Sequence, residues 1–449
     1  MSRFVNAAGT TREAQAATTN KEGGGKKMGL SVPVISLIAL FIAIVVSCTT
    51  SLNIGTLAIG LSLIAGHYLG GVKIPDIVKG YPTSLFIMLA GVTYLFAIAQ
   101  VNGTLEKISK YTIKAVRGNV ALLPIVLFFL AFGLSAMGPG QITISALLAA
   151  PAMLLAEEVG VSPLLMALVV GNGAQAGAMS PLAPPGIVSA SILGKMGITG
   201  VIGTLWLNML IAHVAVSILA YFLFGGLKLL RTRDHGQRET LKNMKVEPFT
   251  VPQWYTVAGV AVLIVGTVFF KLDIGLGAFT IGAILSLIKA VDEGKAIKAM
   301  PWGTIIMVTG VTVLVQLMSN VGGMDLFATL MAKVSTAYTV TAVAGFMSGL
   351  ISAYASTTGV ILPAFLPLAP NLLAKVGGTD LMALLSSIVV CGFIVDLSPL
   401  STTGAVFIAN AGPKADKTKL FRNMLIWGLS MSVVGAIICW LAFTVLRLP

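Results

Sequence analysis

Ser180-Pro181-Leu182-Ala183-Pro184-Pro185-Gly186 and Ser398-Pro399-Leu400-Ser401-Thr402-Thr403-Gly404 are two versions of one pattern, 218 positions apart. Each interrupts a long apolar run. Proline lacks an amide donor and clashes with the preceding turn, so a helix is predicted to break at each copy. Inside a bilayer such a break survives only where protein or a wet cavity satisfies the freed backbone. Matching broken helices in two halves of a membrane protein point to a transporter's binding site.

The rest of the composition agrees with a bilayer as solvent. Mean hydropathy is +0.95, and charged residues are only 10% of the 449. A soluble chain would carry roughly 25%. The 49 glycines suit close helix packing and broken helices. The net charge of +13 is expected in cytoplasmic loops, so nucleic acid is not implied. Cys48, Cys391 and Cys439 are dispersed in apolar surroundings and read as packing residues. The three His are scattered, so neither a metal cluster nor an organic cofactor is expected.

Outward from the two breaks, the halves match repeatedly. Leu52-Asn53-Ile54-Gly55 matches Leu272-Asp273-Ile274-Gly275, Pro82 matches Pro301, and Gly91-Val92-Thr93 matches Gly310-Val311-Thr312. Asn208-Met209-Leu210-Ile211 matches Asn423-Met424-Leu425-Ile426, and all offsets lie between 215 and 220. The predicted plan is an all-α polytopic membrane protein of two repeats, 29–227 and 254–449. A disordered tail, 1–28, precedes them, and a basic linker, 228–253, joins them. Each repeat has five spans near the ~20 residues a bilayer needs, together with a re-entrant hairpin and a broken helix. Residues 105–117 and 326–334 read as amphipathic helices at the interface. The two arms of the first hairpin, about 122–137 and 142–157, look slightly short for a span.

Five spans is an odd number, so the repeats should insert with opposite orientation. Most of the 29 Lys and Arg then fall in loops on one side, including Lys107, Lys110, Lys114, Arg117 and the linker. The positive-inside rule puts that side in the cytoplasm and the N-terminus outside.

No Lys or Arg lies deep in any predicted span, so a bound anion must rely on helix N-termini and hydroxyls. The breaks and hairpin tips supply both. Gln141 and Thr143 follow the first tip, Ser180 and Pro185 lie in the first break, and Ser356, Thr357 and Thr358 form the second tip. Ser401, Thr402 and Thr403 lie in the second break. Backbone oxygens at Gly140 and Gly359, with Asn172 or Gln175, offer ligands to a coupling cation. Asp396 is the one acid well inside a predicted span, which marks it as a coupling-ion site or as the cap of the following half-helix. Its repeat partner is Ala178. His213 stands alone among apolar neighbours and reads as packing.

Gly80-Tyr81-Pro82, Gly91-Val92-Thr93 and Gln100-Val101-Asn102-Gly103-Thr104-Leu105-Glu106 together resemble the malonate-carrier type of dicarboxylate transporter. The repeat plan over about residues 30–446 is similar to the wider ion-transporter superfamily, which includes the divalent anion:sodium symporters. In those symporters each tip carries Ser-Asn-Thr. Here the second tip is Ser356-Thr357-Thr358, and the first, Pro139-Gly140-Gln141, departs further. The resemblance implies an inner-membrane homodimer in which a transport domain moves against a scaffold. It also implies symport of a small dicarboxylate such as malonate, malate or succinate. Moving a dianion against a negative-inside potential costs about 4.6 kcal/mol per 100 mV, so at least two cations, Na+ or H+, are needed to offset it. The rival readings are a cation/proton antiporter with Asp396 as carrier and an arsenite-type oxyanion exporter. A membrane enzyme finds no nucleophile–base pair at motif spacing.

Overall fold

The computed structural model describes residues 30–50, 52–114, 119–231 and 246–447. The predicted tail, Arg117 and most of the basic linker lie outside the described residues. The first half contains α1 (Val32–Thr49), α2 (Ile54–Ser62), α3 (Thr83–Val101), α4 (Thr104–Lys114), α5 (Leu123–Ala136), α6 (Gly140–Glu158), α7 (Pro163–Gly177), α8 (Pro184–Lys195) and α9 (Ile202–Leu223). The second contains α10 (Val251–Phe270), α11 (Ile274–Leu287), α12 (Trp302–Asn320), α13 (Gly323–Lys333) and α14 (Val340–Ser352). A π-helical turn, Thr357–Ile361, then leads into α15 (Leu362–Phe365) and α16 (Ala369–Val376), followed by α17 (Leu381–Val395), α18 (Thr402–Ala409) and α19 (Lys417–Cys439). No strand occurs among the described residues.

Five described helices are long and apolar enough to cross a membrane alone, or six if the bent pair at 357–376 counts as one. Seven further apolar helices are 10–17 residues long. The sequence reading of both hairpin arms as short needs one correction. The return arm α6 has 19 residues, the length of a span, because its helix begins within the tip at Gly140.

The repeated motifs each do the same job twice. Asn53 caps α2 by accepting from Gly55 N, and Asp273 caps α11 by accepting from Leu276 N. Pro82 and Pro301 stand at the N-caps of α3 and α12. The glycines of the same motifs are helix crossings. A methyl added to Gly55 would strike the backbone of Ile306 and Met307, and one on Gly310 the backbone of Gly55. The repeat-related crossing is α11 on α3, where Gly275 lies against Met88 and Gly91 against the Gly275 carbonyl. Each half is thus pinned to the other through two glycine-to-backbone seams.

Within the halves, α5 packs on α7 and α14 on α17, while α9 covers α7 and α19 covers α17. The seams are equivalent, but their residues are exchanged. In the first half Gly173 and Gly177 of α7 meet the backbone of α5 at Phe128 and Phe132. In the second, the glycines are Gly345 and Gly349 of α14, which meet Cys391 and Val395 of α17. Cys391 Sγ also lies 3.6 Å from Cys439 Sγ on α19, and both thiols are free and buried.

The post-break helices cross over to the other half. α18 packs on the return arm α6, and α8 packs on α15. This crossing brings the N-terminal ends of α6, α8, α18 and the 357–361 turn together.

Candidate functional site

At both breaks the serine of the motif folds the chain back on itself. Ser180 Oγ accepts from Leu182 N and donates to the Ala136 carbonyl at 2.6 Å. Ser398 Oγ accepts from Leu400 N in the same way. The returning backbone passes so close that a side chain at Gly186 or Gly404 would overlap the Ser180 or Ser398 carbonyl. This is why glycine closes both copies of the pattern. After the break, Ser401 caps α18 by accepting from Gly404 N at 3.3 Å, and its hydroxyl lies against the Asp396 and Ser398 carbonyls. Ser180 and Ser401 therefore shape the breaks with their hydroxyls.

Asp396 ends α17 and is 3% exposed. Its Oδ2 accepts from Gln175 Nε2 at 3.0 Å and from Thr403 Oγ1 at 3.2 Å. The Thr357 backbone amide also faces this carboxylate. Gln175 belongs to the first half and Asp396 to the second, so the acid is held across the repeat boundary. Gln175 Oε1 is buried without a partner. Among the described residues no Lys or Arg is buried. The carboxylate is therefore met by dipoles alone, which leaves it suited to a cation or a proton.

The two hairpin tips touch next to this acid. Gln141 Nε2 donates to Thr358 Oγ1 at 3.0 Å, and both side chains are buried. Thr357, one residue before Thr358, places its hydroxyl 2.6 Å from Ser352 Oγ and 3.1 Å from the Gly392 carbonyl. Ser356 caps the turn by accepting from Gly359 N at 3.2 Å. Gly140 has φ +74°, and a methyl there would sit 2.8 Å from Pro184 of the first break, beside buried Pro185. Gly359 is backed by the Met307 side chain.

The structure thus brings together Gln141, Thr357, Thr358, Asp396 and Thr403, with Gly140, Pro185, Ser180, Ser356, Gly359 and Ser401 as backbone support. Three predicted residues stand apart. Thr143 lines a narrow cleft toward α3 with Thr93, Gln100 and Pro301. Thr402, in the first turn of α18, is exposed. Asn172 donates to the Leu168 carbonyl and pairs with His213 Nδ1 at 2.8 Å, so it is committed elsewhere. The amide that reaches Asp396 is Gln175, three residues on. One signal could have singled it out: its repeat partner is Phe393, just as that of Asp396 is Ala178.

Residues 30–178 match a family model described as the N-terminus of the dicarboxylate carrier protein MatC. The resemblance to the malonate-carrier type therefore holds from α1 to the end of α7. No curated protein matches the chain. Among solved structures, the YdaH transporter of Alcanivorax borkumensis aligns with a TM-score of 0.53 at 13% identity, covering 92% of this chain and 98% of that one. MtrF of Neisseria gonorrhoeae, from a class of antimetabolite efflux pumps, aligns at 0.54 and 12% identity, covering 94% and 96%. At these identities the likeness is one of fold. The family model describes a carrier and both structures are transporters; none is an enzyme.

Proposed function

We propose that the protein is a secondary active carrier of a small dicarboxylate of the malonate, malate or succinate class, coupled to Na+ or H+. The observation that carries this reading is the buried Asp396, held by Gln175 of the other half beside the touching hairpin tips, with no Lys or Arg buried among the described residues. A dianion cannot settle next to a bare carboxylate, because like charges at short range repel strongly in a low dielectric. A cation at Asp396 must come first. It finds the carboxylate, the unpartnered Gln175 Oε1 and the Thr403 hydroxyl there. The anion then takes the amides and hydroxyls at the tips, with Thr358 and Gln141 as the first contacts.

Alternating access would carry this centre across the bilayer by an elevator-type motion. The moving body would comprise α5–α9 and α14–α19, and the scaffold would be the remaining helices, pinned by the glycine seams. The inverted orientation of the repeats, the homodimer, the inner-membrane location and the cytoplasmic linker belong to the same proposal.

The test is uptake into proteoliposomes of purified protein, with malonate, malate and succinate offered under a Na+ gradient or a pH gradient. Accumulation of one dicarboxylate above its external concentration under a cation gradient is expected. Proton-coupled Na+ flux without any organic anion would replace this reading by the antiporter, which a buried acid also suits.

A further inference from the structure

The helix α4 turns Leu105, Ser109 and Ile113 inward. Ile108 and Thr112 form the next stripe and line an open apolar cleft of about 470 Å³. The opposite wall is α5, through Val126, Phe129 and Gly133. Phe129 is 57% exposed, and a methyl added to Gly133 would meet nothing within 4 Å. The following stripe of α4 is Lys107, Tyr111 and Lys114, spaced by four and three residues, so two amines and a phenol share the helix face next to the one that lines the cleft. Lys107 Nζ donates to the Pro248 carbonyl at 2.8 Å, and Tyr111 stacks on Phe249 with centroids 5.6 Å apart. These contacts hold Lys107 and Tyr111 against residues 248 and 249. Lys110 pairs with Glu106 at 2.6 Å, whereas Lys107 and Lys114 face no acid among the described residues.

The other half shows that the fold does not require this stripe. In α13, the repeat-related positions are Leu326, Leu330 and Lys333, and its Asp325 pairs with Lys375 at 3.0 Å. At these positions α13 carries one Lys where α4 carries two.

We propose that the cleft between α4 and α5 binds an anionic phospholipid, with one acyl chain in the cleft and the phosphate at Lys107 and Lys114. An apolar slot opening beside Tyr and Lys matches an amphipath with a hydrocarbon tail and a negative head. Basic side chains at a membrane surface attract anionic headgroups. A free phosphate has no use for the slot, and a zwitterionic lipid carries no net charge for the two amines. The bound lipid touches both the interfacial helix and the entering arm of the first hairpin.

The test is native mass spectrometry of the purified full chain equilibrated with equimolar phosphatidylglycerol and phosphatidylcholine of identical acyl chains. Retention of phosphatidylglycerol over phosphatidylcholine by roughly tenfold or more is expected from two basic side chains. Lys114→Ala should reduce that preference, and Lys107→Ala with Lys114→Ala should abolish it. Gly133→Leu, which fills the slot, should lower retention of both lipids. Equal retention of the two lipids by the unaltered protein overturns the proposal. So does unchanged phosphatidylglycerol retention in the double and Gly133→Leu variants. A Gly133→Leu variant that shifts the oligomeric state without changing lipid retention would assign the cleft to a contact between copies instead.

Discussion

Asp396 is buried with dipoles as its only partners, so its charge state decides what can bind beside it. Asp396→Asn keeps the acceptor for Gln175 and Thr403 and removes the charge. Cation-driven accumulation of dicarboxylate should disappear while the unfolding temperature in detergent stays within a few degrees. Near-normal accumulation would reduce Asp396 to an acceptor that holds Gln175 and Thr403; it is not the cap of the following half-helix that the sequence also allowed, because Ser401 takes that place. The neighbouring contact is tested by Thr358→Val, which is nearly isosteric. Losing a hydrogen bond to a charged group costs about 1.5–3 kcal/mol, so calorimetric affinity for the dicarboxylate should fall roughly 10- to 100-fold. Thr403→Val should weaken binding in the same direction, by loosening the cation site. The Asp396 signal was legible in the sequence, because an acid in an apolar run is expensive. Its pairing with Gln175 was not. Gln175 and Asp396 occupy unrelated places in the repeat, so comparing one copy with the other could not join them; only the crossing of the chain does.

The glycine seams are the elements on which the halves depend. At Gly55 an added methyl meets the backbone of Ile306 and Met307, where no side chain can move aside. Gly55→Ala should therefore destabilise by about 1–3 kcal/mol, the range for overpacking a tight contact. Gly275→Ala, at the repeat-related seam, should do the same. Gly60→Ala is the control on α2. Its added methyl meets nothing within 4 Å, so a gain of about 0.5–1 kcal/mol is expected from the helix preference alone. Thermal unfolding in detergent separates the cases, and equal effects at Gly55 and Gly60 would deny the seam. The Asn53/Asp273 caps and the paired Gly55/Gly275 could be read from the sequence as matches. That Gly55 meets Gly310 while Gly275 meets Gly91 could not, because a repeat comparison says what corresponds and not what touches. The α5·α7 seam was hidden further, since Phe128 and Gly173 correspond to Gly345 and Cys391. The close approach was kept by exchanging which helix is small. The amphipathic α4 was plain from its periodicity, whereas the cleft beneath it depends on Gly133 of another helix.

At the scale of the molecule, orientation is the property most open to test. With Cys48, Cys391 and Cys439 replaced, a single Cys placed between 228 and 245 should react in intact cells only with membrane-permeant reagents. Labelling by an impermeant reagent would turn the whole topology over, and with it the side on which each hairpin opens. Two copies of the first half alone would put Gln175 opposite Ala178, and two of the second would put Asp396 opposite Phe393. The frame is nearly a palindrome, but its centre is spelled in one direction only. A carrier built this way has two open states that are not mirror images. The half-saturating concentrations measured from its two sides should therefore differ, even with no gradient to tell inside from outside.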